Sequence, residues 1–94
     1  MTVDPESPDP LFEQLAEIYR VRIETGDLPP RRKLLTQDAI AERYHVSRGT
    51  VLRATRLLVG EGLIRFVPGK GLFVCDADVI EPWIRARQAK RHKR

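Results

Sequence analysis

The apolar positions of the chain recur with a helical period three times and then change to the shorter period of strands. Leu11, Leu15, Ile18, Tyr19 and Ile23 fall at i, i+4, i+7, i+8 and i+12, the spacing of one helix face. Asp9-Pro10 before them reads as a helix start, with aspartate as N-cap and proline at the first helical position, and Gly26 as the stop. Leu28-Pro29-Pro30 is a rigid turn, and Arg31-Arg32-Lys33-Leu34-Leu35 is too short for a helix and reads as a brief strand. Thr36 is placed to cap a second helix over Gln37 to Tyr44, with Asp38 near its positive end. His45-Val46 then interrupts the pattern. Ser47 is placed to cap a third helix that runs to about Glu61, with Val51, Ala54 and Leu58 on its apolar side and Gly62 as terminator.

Beyond Gly62 the composition shifts to aromatic and β-branched residues. Leu63-Ile64-Arg65-Phe66-Val67 and Leu72-Phe73-Val74-Cys75 flank Pro68-Gly69-Lys70-Gly71, which predicts a β-hairpin with a tight turn. Ile80 to Arg94 can continue as a helix around Trp83 and Ile84, but its last ten residues offer no face to bury and are expected to fray. The expected fold is mostly α with a small β-hairpin, a winged helix-turn-helix of three core helices plus a wing, followed by a basic C-terminal tail. Residues 1–8 form a flexible arm, 9–76 the winged helix-turn-helix domain, and 77–94 the C-terminal helix and tail.

The break at His45 carries the functional argument. Two helices joined by a three-residue turn, the second capped by serine, make a helix-turn-helix. At about 100° per residue, Val51, Ala54 and Leu58 turn inward while Gly49, Leu52, Arg53 and Arg56 turn outward. Ser47, Arg48, Gly49 and Thr50 bury almost nothing, so this end is placed for a DNA major groove. An arginine there can bind guanine O6 and N7 with two hydrogen bonds, worth roughly 1–3 kcal/mol of discrimination. Thr50 and the free helix N–H groups suit phosphate oxygens. Lys70, between two glycines, can reach a phosphate or the minor groove from the wing tip.

Charge distribution agrees. The net charge is +4, yet residues 1–30 carry −5, residues 31–70 carry +6, residues 71–84 carry −3 and the last ten carry +6. A cationic middle and a cationic end are what a polyanionic partner requires. The tail has two readings: six basic residues without an acid can grip neighbouring phosphates, or Trp83, Ile84 and these cations can dock on an acidic partner or membrane surface. The DNA reading is favoured, because only two large apolar residues precede the charges.

Other chemistry finds little support. His45 and His92 lack a nucleophile or carboxylate pair spaced to work with them, so no enzyme and no catalytic residue is expected. Cys75 reads as a small core hydrophobe. With Asp76 and Asp78 it makes a weak metal set, and no metal or cofactor is expected. A single cysteine excludes an internal disulfide and, with no apolar run long enough to span a bilayer and no signal peptide, points to the cytoplasm. The GK pair at Gly69-Lys70 lacks the spacing and following helix of a phosphate-binding nucleotide loop.

Taken in order, PLFEQLAEIYRVRIETGDLPP, AERYHVSRGTV and EGLIRFVPGKGLFV make residues 10–74 resemble the DNA-binding domain of GntR-type bacterial transcription regulators. The resemblance implies a winged helix that binds operator DNA, usually as a homodimer on an inverted repeat. It implies contacts from Ser47, Arg48, Gly49 and Thr50 at the recognition-helix start and from Gly69 and Lys70 in the wing. Three positions depart from the family pattern. The usual proline-serine-glutamate-arginine run is Leu35-Thr36-Gln37-Asp38, so an aspartate stands where an arginine touches DNA. The second arginine after the helix threonine is Leu52, and the usual turn glycine is His45, which adopts a left-handed backbone at modest cost. Affinity is therefore expected to lean on Arg31, Arg32, Arg53 and Arg56.

The expected protein-DNA site is Arg31, Arg32, Thr36, Ser47, Arg48, Gly49, Thr50, Arg53, Gly69 and Lys70, with double-stranded DNA as partner. Neither the family's effector domain nor a small-molecule effector site is expected in the chain. The expected function is a sequence-specific transcriptional regulator, a repressor in the first instance. The alternative is a winged-helix protein-interaction module of a plasmid or phage control system.

Overall fold

A computed structural model of the chain describes residues 1–92, the His92 side chain excepted; Lys93 and Arg94 of the expected tail lie outside the described residues. The order is α1 (Leu11–Glu24), α2 (Gln37–Tyr44), α3 (Arg48–Gly60), β1 (Ile64–Val67), β2 (Gly71–Val74) and α4 (Ala77–His92). α3 packs on both α1 and α2, and the antiparallel hairpin β1–β2 closes one side of the core.

Helix ends follow local chemistry with one correction. α1 begins at Leu11, one residue later than expected. Pro10 holds an extended ψ of 145° and its carbonyl accepts from the Glu13 and Gln14 N–H groups, so Pro10 is the N-cap and Asp9 caps nothing. The Asp9 carbonyl instead accepts from Gln14 Nε2, whose side chain also bonds the backbone of Asp4 on both sides. The Thr36 hydroxyl accepts from the Ala39 N–H, and the Ser47 hydroxyl from the Thr50 N–H, as the two capping sites require. His45 stands between them at φ 56°, ψ 47°, the left-handed geometry that turns the chain out of α2.

One continuous core forms behind these caps. Leu15, Ile23, Ile40, Val51, Leu58 and Leu63 are among its fully buried side chains. α3 buries Val51, Ala54 and Leu58 as its period demands, and also Thr55, whose hydroxyl donates to the Leu52 carbonyl. In the hairpin Ile64 faces Val74 and Phe66 faces Leu72. Its turn sets Pro68 before Gly69 at φ 78°, and the Lys70 N–H bonds the Val67 carbonyl, the pattern of a type II turn. The expected strand over 31–35 shrinks to a bridge from Lys33 to Phe73, with Leu34 N–H on the Leu72 carbonyl and Val74 N–H on the Arg32 carbonyl.

The C-terminal segment is a correction. As expected of its start, α4 buries Ile80 and half-buries Trp83 and Ile84; the departure is that the helix runs to His92, despite Pro82 inside it, with Arg87 half-buried among the last ten residues. Arg87 bonds Glu17 and Glu24, and Arg91 bonds Glu24, so two cations of the tail are held by acids of α1. Arg85 and Lys90 are exposed.

Candidate nucleic-acid interface

The start of α3 stands clear of the fold. Ser47, Arg48 and Gly49 are exposed and Thr50 is half-buried, while Val51 next to them is fully buried. The Ser47 hydroxyl also donates to Thr50 Oγ1 at 3.0 Å, which fixes both side chains at the tip. A side chain built at Gly49 would meet only the Ser47 hydroxyl at 3.8 Å, so the packing does not dictate glycine there. Arg48 reaches outward with its side chain 75% exposed, but it is not alone: its Nε lies 2.7 Å from Asp38 Oδ1.

Between α3 and the hairpin runs an open groove of about 620 Å³. Leu35, Leu52, Val59 and Phe66 give it apolar walls, and Arg56 and Lys70 are among the cations on it. Phe66 is the most exposed of these, at 64%. Thr36 and Gln37 also line it, and the next residue, Asp38, is the one that meets Arg48. The groove thus joins the wing tip and the α2 start to the outward side of α3, and Arg48 adjoins the α2 start through Asp38.

The other expected residues distribute less simply. Arg53 lies on the outward side of α3, yet its guanidinium covers the Phe12 ring of α1 at 4.2 Å from the centroid. Arg31 takes a left-handed backbone at φ 69°, sits 3.9 Å from Asp76, and lines the outer side of the hairpin together with Arg65 and Lys70. Arg32 is exposed and lines a cleft together with Arg43. Thr36 has its hydroxyl committed to capping. Gly69 supplies the left-handed turn that lifts Lys70.

Lys33 and Arg65 were not among the expected residues. Lys33 borders the groove, with its Cε only 3.3 Å from where a Cβ on Gly71 would stand, and Arg65 flanks the wing. Their signal in the sequence was a cation beside each strand run, indistinguishable there from ordinary solvated charge. Cys75 packs against the core and burial raises its thiol pKa, so it is a poor nucleophile.

Comparison with known proteins decides the family. The model described as "Bacterial regulatory proteins, gntR family" matches residues 11–74, covering α1 through β2. This chain belongs to the GntR family. The GntR-family chain is 36% identical over 74 residues to the HTH-type transcriptional repressor NagR of Bacillus subtilis, covering 79% of this chain and 30% of NagR. It is 37% identical over 70 residues to the mannosyl-D-glycerate transport/metabolism system repressor MngR of Escherichia coli, covering 74% of this chain and 29% of MngR. The chain thus spans under a third of the length of these curated relatives. Among solved structures, AraR(DBD) in complex with operator ORX1 aligns at TM-score 0.73 and 30% identity, over 80% of this GntR-family chain and 95% of that one. YtrA from Sulfolobus acidocaldarius, a GntR-family transcription factor, aligns at TM-score 0.74 and 29% identity, over 95% and 93%. The winged helix-turn-helix is the fold that these relatives share with it. No helix among the described residues is long and apolar enough to cross a membrane.

Proposed function

We propose that this chain is the DNA-binding unit of a transcriptional repressor that reads an operator through the start of α3. The observation that carries the reading is the split character of α3: Val51, Ala54 and Leu58 are buried, whereas Ser47, Arg48 and Gly49 stand outside the fold with a cap that holds them there. The similarity to an AraR domain solved in complex with operator ORX1 supports DNA as the partner.

In this reading α3 enters the major groove and Arg48 binds a guanine edge through O6 and N7. Gly49 lets the backbone approach the duplex, and Thr50 with the helix N–H groups meets phosphate. Lys70 at the raised turn contacts the backbone or minor groove, and Arg56 and Lys33 neutralise phosphates along the groove between α3 and the wing. Arg31 and Arg32 add flanking phosphate contacts, and Arg53 contributes by leaving Phe12 on binding. Two copies on an inverted repeat would place two α3 helices in successive major grooves, about 34 Å apart. Occupying a promoter in the cytoplasm would then block polymerase.

Selection of bound sites from random duplexes, followed by a salt series on the selected site, tests this. One sequence should be enriched, with affinity falling steeply with salt, and Arg48→Ala should abolish the preference while leaving weak general binding. Enrichment of no sequence by the wild type would overturn the reading, and a palindromic site would support dimeric binding.

A further inference from the structure

The acidic residue on this cationic face asks for an explanation. Asp38 lies in the first turn of α2 and Arg48 is the first residue of α3, and the left-handed turn at His45 brings them together. Both side chains are solvent-facing, 70% and 75% exposed, so their pairing contributes little to folding. A carboxylate at a DNA surface also repels phosphate. The closest approach of the carboxylate is to Arg48 Nε, and in a planar guanidinium the outer N–H groups of Nη1 and Nη2 lie on the edge opposite that atom.

We propose that Asp38 is a specificity-determining residue that positions Arg48 for guanine and competes with phosphate for it. This rests on the reading above of α3 as the base-reading helix. An unrestrained arginine at a helix tip swings to whichever acceptor is nearest, and on a duplex that is usually a backbone phosphate. Asp38 occupies the Nε side and supplies a negative charge that a phosphate must displace. A guanine edge asks only for the two terminal nitrogens, so it binds without breaking the pair. Less side-chain freedom is lost when the fork is already held. The aspartate therefore lowers binding to arbitrary sequence and sharpens the choice of base.

Two effects of opposite sign make this testable. The wild type, Asp38→Asn and Asp38→Ala are each measured on three duplexes: the site selected by the wild type, that site with single guanines replaced, and a random duplex. Both variants should bind the random duplex about 3–10-fold more tightly, with a salt slope steeper by about one, because a repelling charge is gone. Their preference for the guanine over its replacement should fall about 10-fold. In an Arg48→Lys background, which keeps the charge and removes the fork, Asp38→Asn should still strengthen random binding and leave base preference where Arg48→Lys put it. Thermal unfolding of each variant reports whether the fold is kept. If the variants bind all three duplexes more tightly by one common factor, Asp38 only repels and the proposal is overturned. If the wild type enriches no site, the base-reading role of α3 fails first.

Discussion

Glu24 is the residue whose removal should most disturb the packing of α4. Its side chain is 5% exposed, and it accepts from Arg87 Nε at Oε1 and from Arg91 Nη1 at Oε2, both at 2.9 Å. Arg87 is itself 19% exposed, has Glu17 as its second acceptor, and lies 5.4 Å from the Trp83 ring centroid. Glu24→Ala leaves a shielded guanidinium with one carboxylate in place of two. A charge-assisted hydrogen bond shielded from water contributes about 1.5–3 kcal/mol, and a solvent-exposed pair about 0–1 kcal/mol. The Arg87 contact belongs to the first class, and the Arg91 contact, with that side chain 53% exposed, to the second. Glu17 continues to hold Arg87, so the loss should be about 2–3 kcal/mol, or a fall in Tm of about 10–20 °C for a domain of this size. Glu24→Gln keeps one acceptor and should cost about half. Urea unfolding followed by circular dichroism at low and high salt measures this, and the gap between wild type and variant should narrow as salt screens the network. A double-mutant cycle with Arg87→Ala should give a coupling of about 1 kcal/mol or more. A Glu24→Ala midpoint within about 0.5 kcal/mol of wild type at both salt concentrations would refute the clamp.

Three smaller predictions concern other parts of the molecule. His45→Gly relieves the left-handed strain at φ 56° and should stabilise by about 0.5–1 kcal/mol after the extra freedom of glycine in the unfolded chain is counted; a lower Tm would show that the imidazole makes a contact worth more than the strain. The Tyr19 hydroxyl is buried without a hydrogen-bond partner among the described residues, and burial, with the Tyr44 ring beside it, pushes its pKa up to about 12. The folded state then keeps a proton that the unfolded chain has lost, so stability present below pH 10 should decline between about 10 and 12. Tyr19→Phe should flatten that decline in urea midpoints taken across this range, at almost no cost at neutral pH. Lys70→Ala should weaken selected and random duplexes alike, by about 3–10-fold, and lower the salt slope by about one in binding titrations; a loss confined to the selected site would make Lys70 a base reader.

How much was legible in the sequence depends on the range of the interaction. Thr36, His45, Ser47, Gly62 and Gly69 act within a few residues of themselves, and the chain shows each of them in the role that local chemistry assigns. The inward side of α3 was legible for the same reason, since a helical period needs no knowledge of the partner. Pairings across the fold were not. Arg53 reads as an outward cation until α1 brings Phe12 beneath it, and Asp38 reads as a departure from a family pattern until α3 brings Arg48 to it. The ion-paired side of the last ten residues was hidden for a related reason, because Arg87 and Arg91 make no apolar stripe and their partners lie on α1.

Charge complementarity between distant segments was the missed signal in that tail. Glu17 and Glu24 stand at i and i+7 on α1, and Arg87 and Arg91 at i and i+4 on α4, so each helix carries one stripe of opposite sign. Such stripes satisfy one another before either meets a polyanion. Arg87 and Arg91 are so held while Arg85 and Lys90 are exposed, and the largest cationic reserve is in residues 31–70, where nine basic groups face three acids. Of those acids, Glu61 holds Arg20 of α1 through two hydrogen bonds and Asp38 holds Arg48. It follows that removing residues 85–94 should act mainly by releasing α4 from α1, lowering stability more than it lowers DNA affinity. A salt slope almost unchanged in the truncated chain, with a Tm well below wild type, is the expected pair of results. A stable truncation that loses several units of salt slope would return the tail to the interface.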